Sequence, residues 1–379
     1  MLNVVIYNPN SIGGNFNYSN CLFDEYTKRS GVTCNLILPK NAEIKENAPG
    51  KRKILLSDVY FGKQKLLRRL YFIYRSCVNP VLLFLFIVRQ KPSLVIFNDY
   101  DQISSVFWVP CFFPLKLKHR FAVILHDPDR DNYLKSKLLS QLTMSIFMKL
   151  MDYGLYHETL PERNYYKTGV IFASIPHGIY YNNVKPEKEL SLYMAKLKET
   201  KVVCSILGNI RKEKNYELAI RSLQNTKNIH LVIAGKDANS DYSSSSLVEL
   251  AATLGVKDKV TFILNYLTDS QISAVLENTD VLLLNYSSSF SSQSGILNLA
   301  APYKSNLVIS RTNSALYKVA REYNLAKFVE ADSLKVVQNL FLELDNSGFV
   351  KQIDWSQYMM HASWEKNVDI TLNLIYGKD

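Results

Sequence analysis

The sequence has 379 residues, 47% hydrophobic and 21% charged, with a net charge of +11. That mixture excludes a disordered or fibrous chain, and the length exceeds what one core holds, so two domains of roughly 150–200 residues are expected. Five scattered cysteines without a C-x-x-C pair exclude a disulfide framework and a zinc site, and fit a reducing compartment.

The chain opens on MLNVVIYNPN, whose apolar stretch is short and lacks a basic flank, so it reads as a strand rather than a signal peptide. Short β-branched or aromatic runs then alternate with amphipathic stretches, the pattern of βαβ units in parallel sheets. Strands are predicted at 3–7, 33–38, 94–97, 121–125, 154–157 and 170–173, with helices near 18–28, 65–88 and 135–151. The longest apolar run, 81–88, falls short of the roughly 20 residues of a spanning helix, so no membrane crossing is expected. A polar segment with two prolines, IPHGIYYNNVKPEKE, predicts a linker and a domain boundary near 180–200.

Beyond it, strands are predicted at 202–207, 229–234, 260–264, 281–284 and 307–310. Helices near 215–223, 245–254, 269–276, 294–301 and 315–322 alternate with them. This is a doubly wound α/β domain, with ligands expected at the carboxyl ends of the strands. SDYSSSSL at 240–247 reads as a flexible loop before a helix, and the periodic stretch 355–376 as one helix running back across both domains. The domains are drawn at 1–185 and 186–355, with 356–379 as that terminal helix. The first strand leads into S-I-G-G-N, not G-x-G-x-x-G, and no Walker A sequence is present, which removes dinucleotide enzymes and the common NTPases. Two-domain nucleotide-sugar transferases and two-lobed binding proteins remain.

The positive charge is confined to the first part of the chain. Residues 1–150 hold 21 Lys and Arg against 10 Asp and Glu, whereas 151–379 hold 24 of each. Within 51–91, ten basic residues and one acid, Asp58, are interleaved with Leu, Phe and Tyr. A basic face backed by such groups suits anionic lipid headgroups. The same segment also reads as a helix that packs on a sheet and leaves its basic side solvated.

Two clusters carry candidate chemistry. Gly208 opens G-N-I-R-K-E-K-N directly after the 202–207 strand and before a helix. Arg211 offers bidentate bonds to phosphate oxygens and Lys214 a point charge, beside the N–H groups of a helix start. The second cluster, N-Y-S-S-S-F-S-S-Q-S-G-I-L-N-L-A, follows the 281–284 strand. Its Gly295 permits close backbone approach, so Ser292, Gln293, Ser294, Gly295 and Ile296 form a second phosphate-facing turn. Read alone, each is also an ordinary solvated or capped helix start.

With these motifs in this order, the sequence resembles retaining glycosyltransferases of the GT-B fold, close to the family-4 enzymes of bacterial polysaccharide and glycolipid synthesis. The resemblance spans nearly the whole chain. It rests on the Gly13-Gly14 loop after the first strand, the strand ending in His126-Asp127, I-P-H-G before the linker, G-x-I-R-x-x-K-N, and S-W-E-K at 363–366. It implies two Rossmann-like domains facing a cleft, the first binding the acceptor and the second the nucleotide sugar, with the terminal helix crossing back. It also implies that His126 contacts the transferred sugar and that Gly13 and Gly14 lie under the diphosphate. Arg211, Lys214 and the 292–296 turn would stabilise the leaving diphosphate, with front-face attack and no dedicated base. Where many members carry two glutamates in E-G-F-G-x-x-x-x-E, this chain has Ser292 and Ala300. The usual contacts to the sugar and ribose are therefore expected to be missing.

No cofactor or metal is expected. Asp127, Asp129 and Asp131, like Asp99 and Asp101, alternate as metal-binding pairs do, but read as solvated turn acids because cations and helix termini already neutralise a diphosphate in this fold. The expected partners are a nucleotide-sugar donor and a saccharide or lipid-linked acceptor, with an anionic membrane surface meeting 51–91 and no nucleic acid. The expected location is the cytoplasm, at the inner face of the cytoplasmic membrane. An inverting GT-B enzyme, with His126 or Asp127 as base, and a non-catalytic two-lobed binder are the competing readings.

Overall fold

A computed structural model describes residues 2–44, 48–131, 133–181, 184–238, 242–349 and 351–377. The chain divides into two compact units, Met1–Gly178 with Ser363–Asp379, and Ile179–Ala362. The first unit is built on seven parallel strands: β1 (Leu2–Tyr7), β2 (Val32–Pro39), β3 (Lys51–Leu55), β4 (Ser93–Phe97), β5 (Arg120–Leu125), β6 (Tyr153–Tyr156) and β7 (Ile171–Ser174). Their order is β3-β2-β1-β4-β5-β6-β7. Its connecting helices are α1 (Gly14–Thr27), α2 (Lys65–Val88), α3 (Ser105–Phe112) and α4 (Lys137–Leu150).

The second unit holds α5 (Lys188–Lys198), α6 (Tyr216–Ser222), α7 (Ser244–Thr253), α8 (Asp269–Glu277), α9 (Gly295–Ala300), α10 (Ala315–Glu322), α11 (Leu334–Ser347) and α12 (Ser356–His361). Its strands are β8 (Val202–Leu207), β9 (Ile229–Ala234), β10 (Val260–Ile263), β11 (Val281–Leu284), β12 (Leu307–Arg311) and β13 (Lys327–Glu330). The order β10-β9-β8-β11-β12-β13 is the doubly wound arrangement, all parallel, whose switch point lies between β8 and β11. The last helix, α13 (Trp364–Tyr376), returns to the first unit.

Alternation along the strands fixes the layers of the first unit. Val4, Ile6, Ile96 and Ile124 face α1 and α13 through Tyr18, Leu22, Tyr26 and Val368. Val5, Val95, Phe97 and Val123 face the other way, onto Leu83 and Ile87 of α2, Trp108 and Phe112 of α3, and Phe147 of α4. β4 is buried along its whole length, which is why it reads as an unbroken apolar run.

Five elements differ from expectation. β3, with the sequence KRKIL, is an edge strand whose basic residues were legible only as charge, and such residues suit an edge because they discourage further pairing. β13, α3, α5 and α11 were also not predicted. The stretch 355–376 is two helices, because Ser363 caps α13 by accepting from the Lys366 N–H at 3.1 Å. The units part at Gly178–Ile179 and at Ala362–Ser363 rather than at 185 and 355. Of the expected linker, Asn182 and Asn183 lie outside the described residues, as do 240–241 of the serine-rich loop, whose 244–247 are helical in α7. Contrary to the reading of 81–88, α2 with its 24 residues is long and apolar enough to cross a membrane by length and composition. Its C-terminal half nonetheless buries Asn79, Pro80, Leu83 and Ile87 within the first unit.

Candidate functional site

In the second unit, both predicted clusters meet at the carboxyl end of β8. The chain leaves β8 at Gly208 with φ +93°, and Gly235 leaves β9 with φ +152°. A Cβ on Gly235 would run into the carbonyl of Gly208, so the two strand-end loops touch through their backbones. A Cβ on Gly208 would stand 3.1 Å from Lys214 Nζ and 3.0 Å from Ile296 Cδ1. Gly208, the lysine and the first turn of α9 thus share one small space. Around Gly295, by contrast, nothing lies within 4 Å of where a Cβ would be.

Lys214 is not the solvated cation its neighbours suggest. It sits on the 3₁₀ turn Lys212–Lys214, is 6% exposed, and donates from Nζ to the Leu207 carbonyl at 2.6 Å. Burial, reinforced by the charge of Arg211, pulls its ammonium down to about 7. Arg211 is half exposed and pairs with Glu213 at 3.2 Å. The Glu213 carbonyl accepts from Ser287 N–H at 2.7 Å, tying the two loops together. Asp332 makes a second tie, accepting from Asn215 Nδ2 and from Ser288 N–H, each at 2.9 Å. Against the pull of burial, these bonds hold its carboxyl below the usual range.

In the serine loop, Ser294 precedes α9 without capping it and turns its Oγ to the Tyr286 hydroxyl at 3.0 Å. Tyr286 stacks on Phe290 with ring centroids 3.9 Å apart. Gln293 Oε1 accepts from Ser294 N–H, while the Ser291 and Ser292 carbonyls receive the first N–H groups of α10. α6 and α9 have seven and six residues, shorter than the expected 215–223 and 294–301 helices. The 3₁₀ turn and left-handed Asn215 also stand between Arg211 and α6. Charge and loop N–H groups therefore dominate over any helix dipole. Ala300 is fully buried in the core, so its position supplies no polar contact.

In the first unit, polar side chains follow directly on the strands. Asn8 follows β1, Asn98 follows β4, His126 follows β5 and His157 follows β6. Asn98 Nδ2 donates to the Asn15 carbonyl at 2.9 Å and toward Asn8 Oδ1 at 3.3 Å, leaving its Oδ1 to receive His126 Nε2 at 3.1 Å. His126 then carries its proton on Nε2 and presents Nδ1 as an acceptor. Tyr18 of α1 is ringed by edge contacts to His126, His157, His177 and Trp364, at centroid distances of 4.6, 5.5, 5.2 and 4.8 Å. Asn367 of α13 donates to the Tyr18 hydroxyl at 2.9 Å and to the Pro176 carbonyl at 2.8 Å. Burial keeps the imidazoles neutral: His126 falls well below its ordinary value, His157 to about 4 and His177 to about 3. Mutual repulsion adds to this for His126 and His177.

Gly13, with φ +88°, stands at the start of α1, and nothing lies within 4 Å of a Cβ built on Gly13 or Gly14. The Gly13 backbone demands glycine, and open space lies over both residues. His157, His177 and Asn98 were missed by sequence reasoning. Their signal was position, since Asn98 and His157 are the first residues past a strand.

Of the alternating acids, Asp129 and Asp131 are ion-paired rather than merely solvated, while Asp127 is exposed. Asp129 and Asp131 share Arg163 at 2.8 and 3.3 Å, and Asp131 also meets Lys137 at 3.2 Å. Asp99 receives Asn10 Nδ2 at 2.6 Å and Asp101 the Ser104 N–H at 2.9 Å.

Comparison with known proteins follows this geometry. Residues 193–325, within the second unit, match the family model described as glycosyl transferases group 1. No curated protein matches the sequence. Among solved structures, Anabaena HepE in complex with UDP and glucose is 12% identical, with a TM-score of 0.62 over 98% of this chain and 95% of that one. Sucrose-phosphate synthase from Thermosynechococcus elongatus is also 12% identical, with a TM-score of 0.67 over 99% and 95%. WaaG, a glycosyltransferase involved in lipopolysaccharide biosynthesis, is 13% identical, with a TM-score of 0.57 over the full length of both chains. The chain carries a group 1 glycosyltransferase domain, and its two Rossmann-like units are of the GT-B type.

Proposed function

We propose that the chain transfers a sugar, with retention, from a nucleotide-diphosphate sugar to a saccharide or lipid-linked acceptor in bacterial surface polysaccharide or glycolipid synthesis. The observation that carries this reading is the convergence of Gly208, Lys214 and Ile296 at one strand end. Breaking the glycosidic bond through an oxocarbenium-like state leaves charge on the diphosphate. A buried ammonium beside loop N–H groups stabilises that charge most, because few water dipoles compete there. Lys214 meets the diphosphate once protonated, and Arg211, released from Glu213, adds a fork of donors. On this reading the leaving group needs no metal. His126, neutral and with Nδ1 as acceptor, takes a hydroxyl of the sugar. HepE holds UDP and glucose in its own structure, which makes UDP the first nucleotide to try.

The first unit is read as a membrane-docking domain. Residues 61–70 are all exposed, including Phe61 at 86% and Leu66 at 68%. Phe107 of α3, Leu117 in the turn after it and Leu138 of α4 are further exposed apolar side chains of the first unit. Lys63, Lys65, Arg68 and Arg69 lie in the same exposed segment, so both parts of an interfacial anchor are present. Sedimentation with anionic vesicles should carry the protein down. Reversing Lys65, Arg68 and Arg69 to Glu should release it, whereas equal recovery with neutral lipid would overturn the docking.

For the transfer itself, a thermal-shift panel of nucleoside diphosphates and nucleotide sugars should find one that raises apparent stability by about 2.7 kcal/mol at a hundredfold excess over its Kd. NMR of the product should show the donor's anomeric configuration kept. A panel without a stabilising nucleotide would defeat the proposal, and an inverted product would defeat retention.

A further inference from the structure

A cavity of about 230 Å³ lies in the first unit, lined by residues of the loops after β1 and β4, by α2, by α3 and by Tyr133. Its volume is several times the roughly 30 Å³ share of one water. Among the described residues, three that line it hold a buried donor without a partner: Arg75 Nε, Asn79 Nδ2 and Trp108 Nε1. Asn79 is 1% exposed and Trp108 5%, so neither donor is served by bulk solvent. The Asn79 Oδ1 is already taken by Leu56 N–H at 2.8 Å, which fixes the amide with its NH₂ toward the unpaired side.

Such a concentration of unmet donors is costly unless a ligand supplies acceptors. Two carboxylates, Asp99 and Asp101, line the same space and offer acceptors in return. Their charge is balanced by Arg75 and by Arg130, which stacks on Tyr100 and Tyr133 at 5.3 and 4.8 Å. A phosphate would face both carboxylates, and a cation would face the Arg75 guanidinium beside the unpaired donors of Asn79 and Trp108. A neutral, hydroxyl-rich molecule satisfies both sets, since each hydroxyl gives and takes a bond.

We infer that this cavity is a binding subsite for one neutral sugar ring of the acceptor, read by Arg75, Asn79 and Trp108. The inference rests on the transferase reading for the word acceptor, but its geometry lies wholly in the first unit.

The test uses methyl hexopyranosides (gluco, galacto, manno and N-acetylglucosamino), with contact read by saturation-transfer NMR. At least one glycoside should contact the wild-type protein. Trp108→Phe and Arg75→Lys, which keep the ring and the charge but remove the unpaired donors, should each weaken it fivefold or more. UDP affinity should be unchanged in both variants. The inference is overturned if no glycoside contacts the wild type, or if both variants bind as the wild type does. Loss of UDP binding in the wild type, with glycoside binding kept, would sink the donor reading and leave the sugar subsite standing. Octyl glycosides run beside the methyl ones separate a lipid-linked sugar, which gains affinity from its tail, from a free saccharide, which gains none.

Discussion

Raising the pH should loosen diphosphate binding through Lys214. Burial pulls its ammonium to about 7 in the free protein, so about half the molecules carry the charge at pH 7, about a tenth at pH 8 and about a hundredth at pH 9. A bound diphosphate places negative charge beside Nζ and holds the proton on. If only the protonated form binds well, Kd rises about fivefold from pH 7 to 8 and then approaches tenfold per pH unit, or roughly 1.4 kcal/mol each. Between pH 7 and 9 the loss comes to about 50-fold. Phosphate groups complete their second ionisation near pH 6, so the ligand's own titration ends earlier. Titration calorimetry with UDP, in two buffers of different ionisation heat at pH 8, should show about one proton taken up. Lys214→Met should bind weakly and with a flat profile. Stability runs the other way: the unfolded chain holds this proton up to 10.5 and the folded one only to about 7, so the lysine's destabilising effect is relieved as pH rises between them. A UDP Kd that stays constant from pH 7 to 9, with no proton uptake, would refute the assignment of Lys214 to the diphosphate.

Three further outcomes follow from the geometry. Gly208→Ala should cost about 1–3 kcal/mol of stability from its φ of +93° and should weaken UDP binding, because the added methyl stands between Lys214 Nζ and Ile296; thermal melts and calorimetry check the two effects separately. His126→Ala should reduce transfer while leaving UDP affinity nearly intact, whereas equal loss of UDP binding would give the imidazole a phosphate-binding or structural role. His157 titrates near 4 when folded and 6.5 when unfolded, so the unfolded chain binds more protons between those values and stability falls as pH drops through them. That one group accounts for about 3 kcal/mol by pH 4, and melts of His157→Gln should show a shallower acid limb than the wild type.

The core strands were legible because they are mostly apolar and mostly buried on both faces, as in residues 94–97 of β4 and the whole of β11. What escaped were pieces whose burial is partial. β3 at its sheet edge shows solvent Arg52 and Lys53. β13 closes the other sheet in the same way, and α5 buries only Met194. The break before α13 escaped because a single serine cap interrupts an otherwise continuous apolar period. At the site, residue identity was legible but environment was not. Lys214 reads as one of the two lysines in R-K-E-K, and only the fold reveals that it is the one that turns inward onto Leu207. The ring of histidines around Tyr18 joins residues from four distant segments, and no local pattern in the sequence brings them together.

The central claim is that Gly208, Arg211, Lys214 and the 293–296 turn hold the leaving diphosphate. Single-turnover release of sugar from the nucleotide sugar that most stabilises the protein tests it most directly, comparing wild type with Arg211→Ala and Lys214→Ala. Both substitutions should slow release by roughly 10²–10³ while the proteins stay folded, the scale of losing one preorganised charge stabiliser. Release at the wild-type rate by both folded variants would contradict the account.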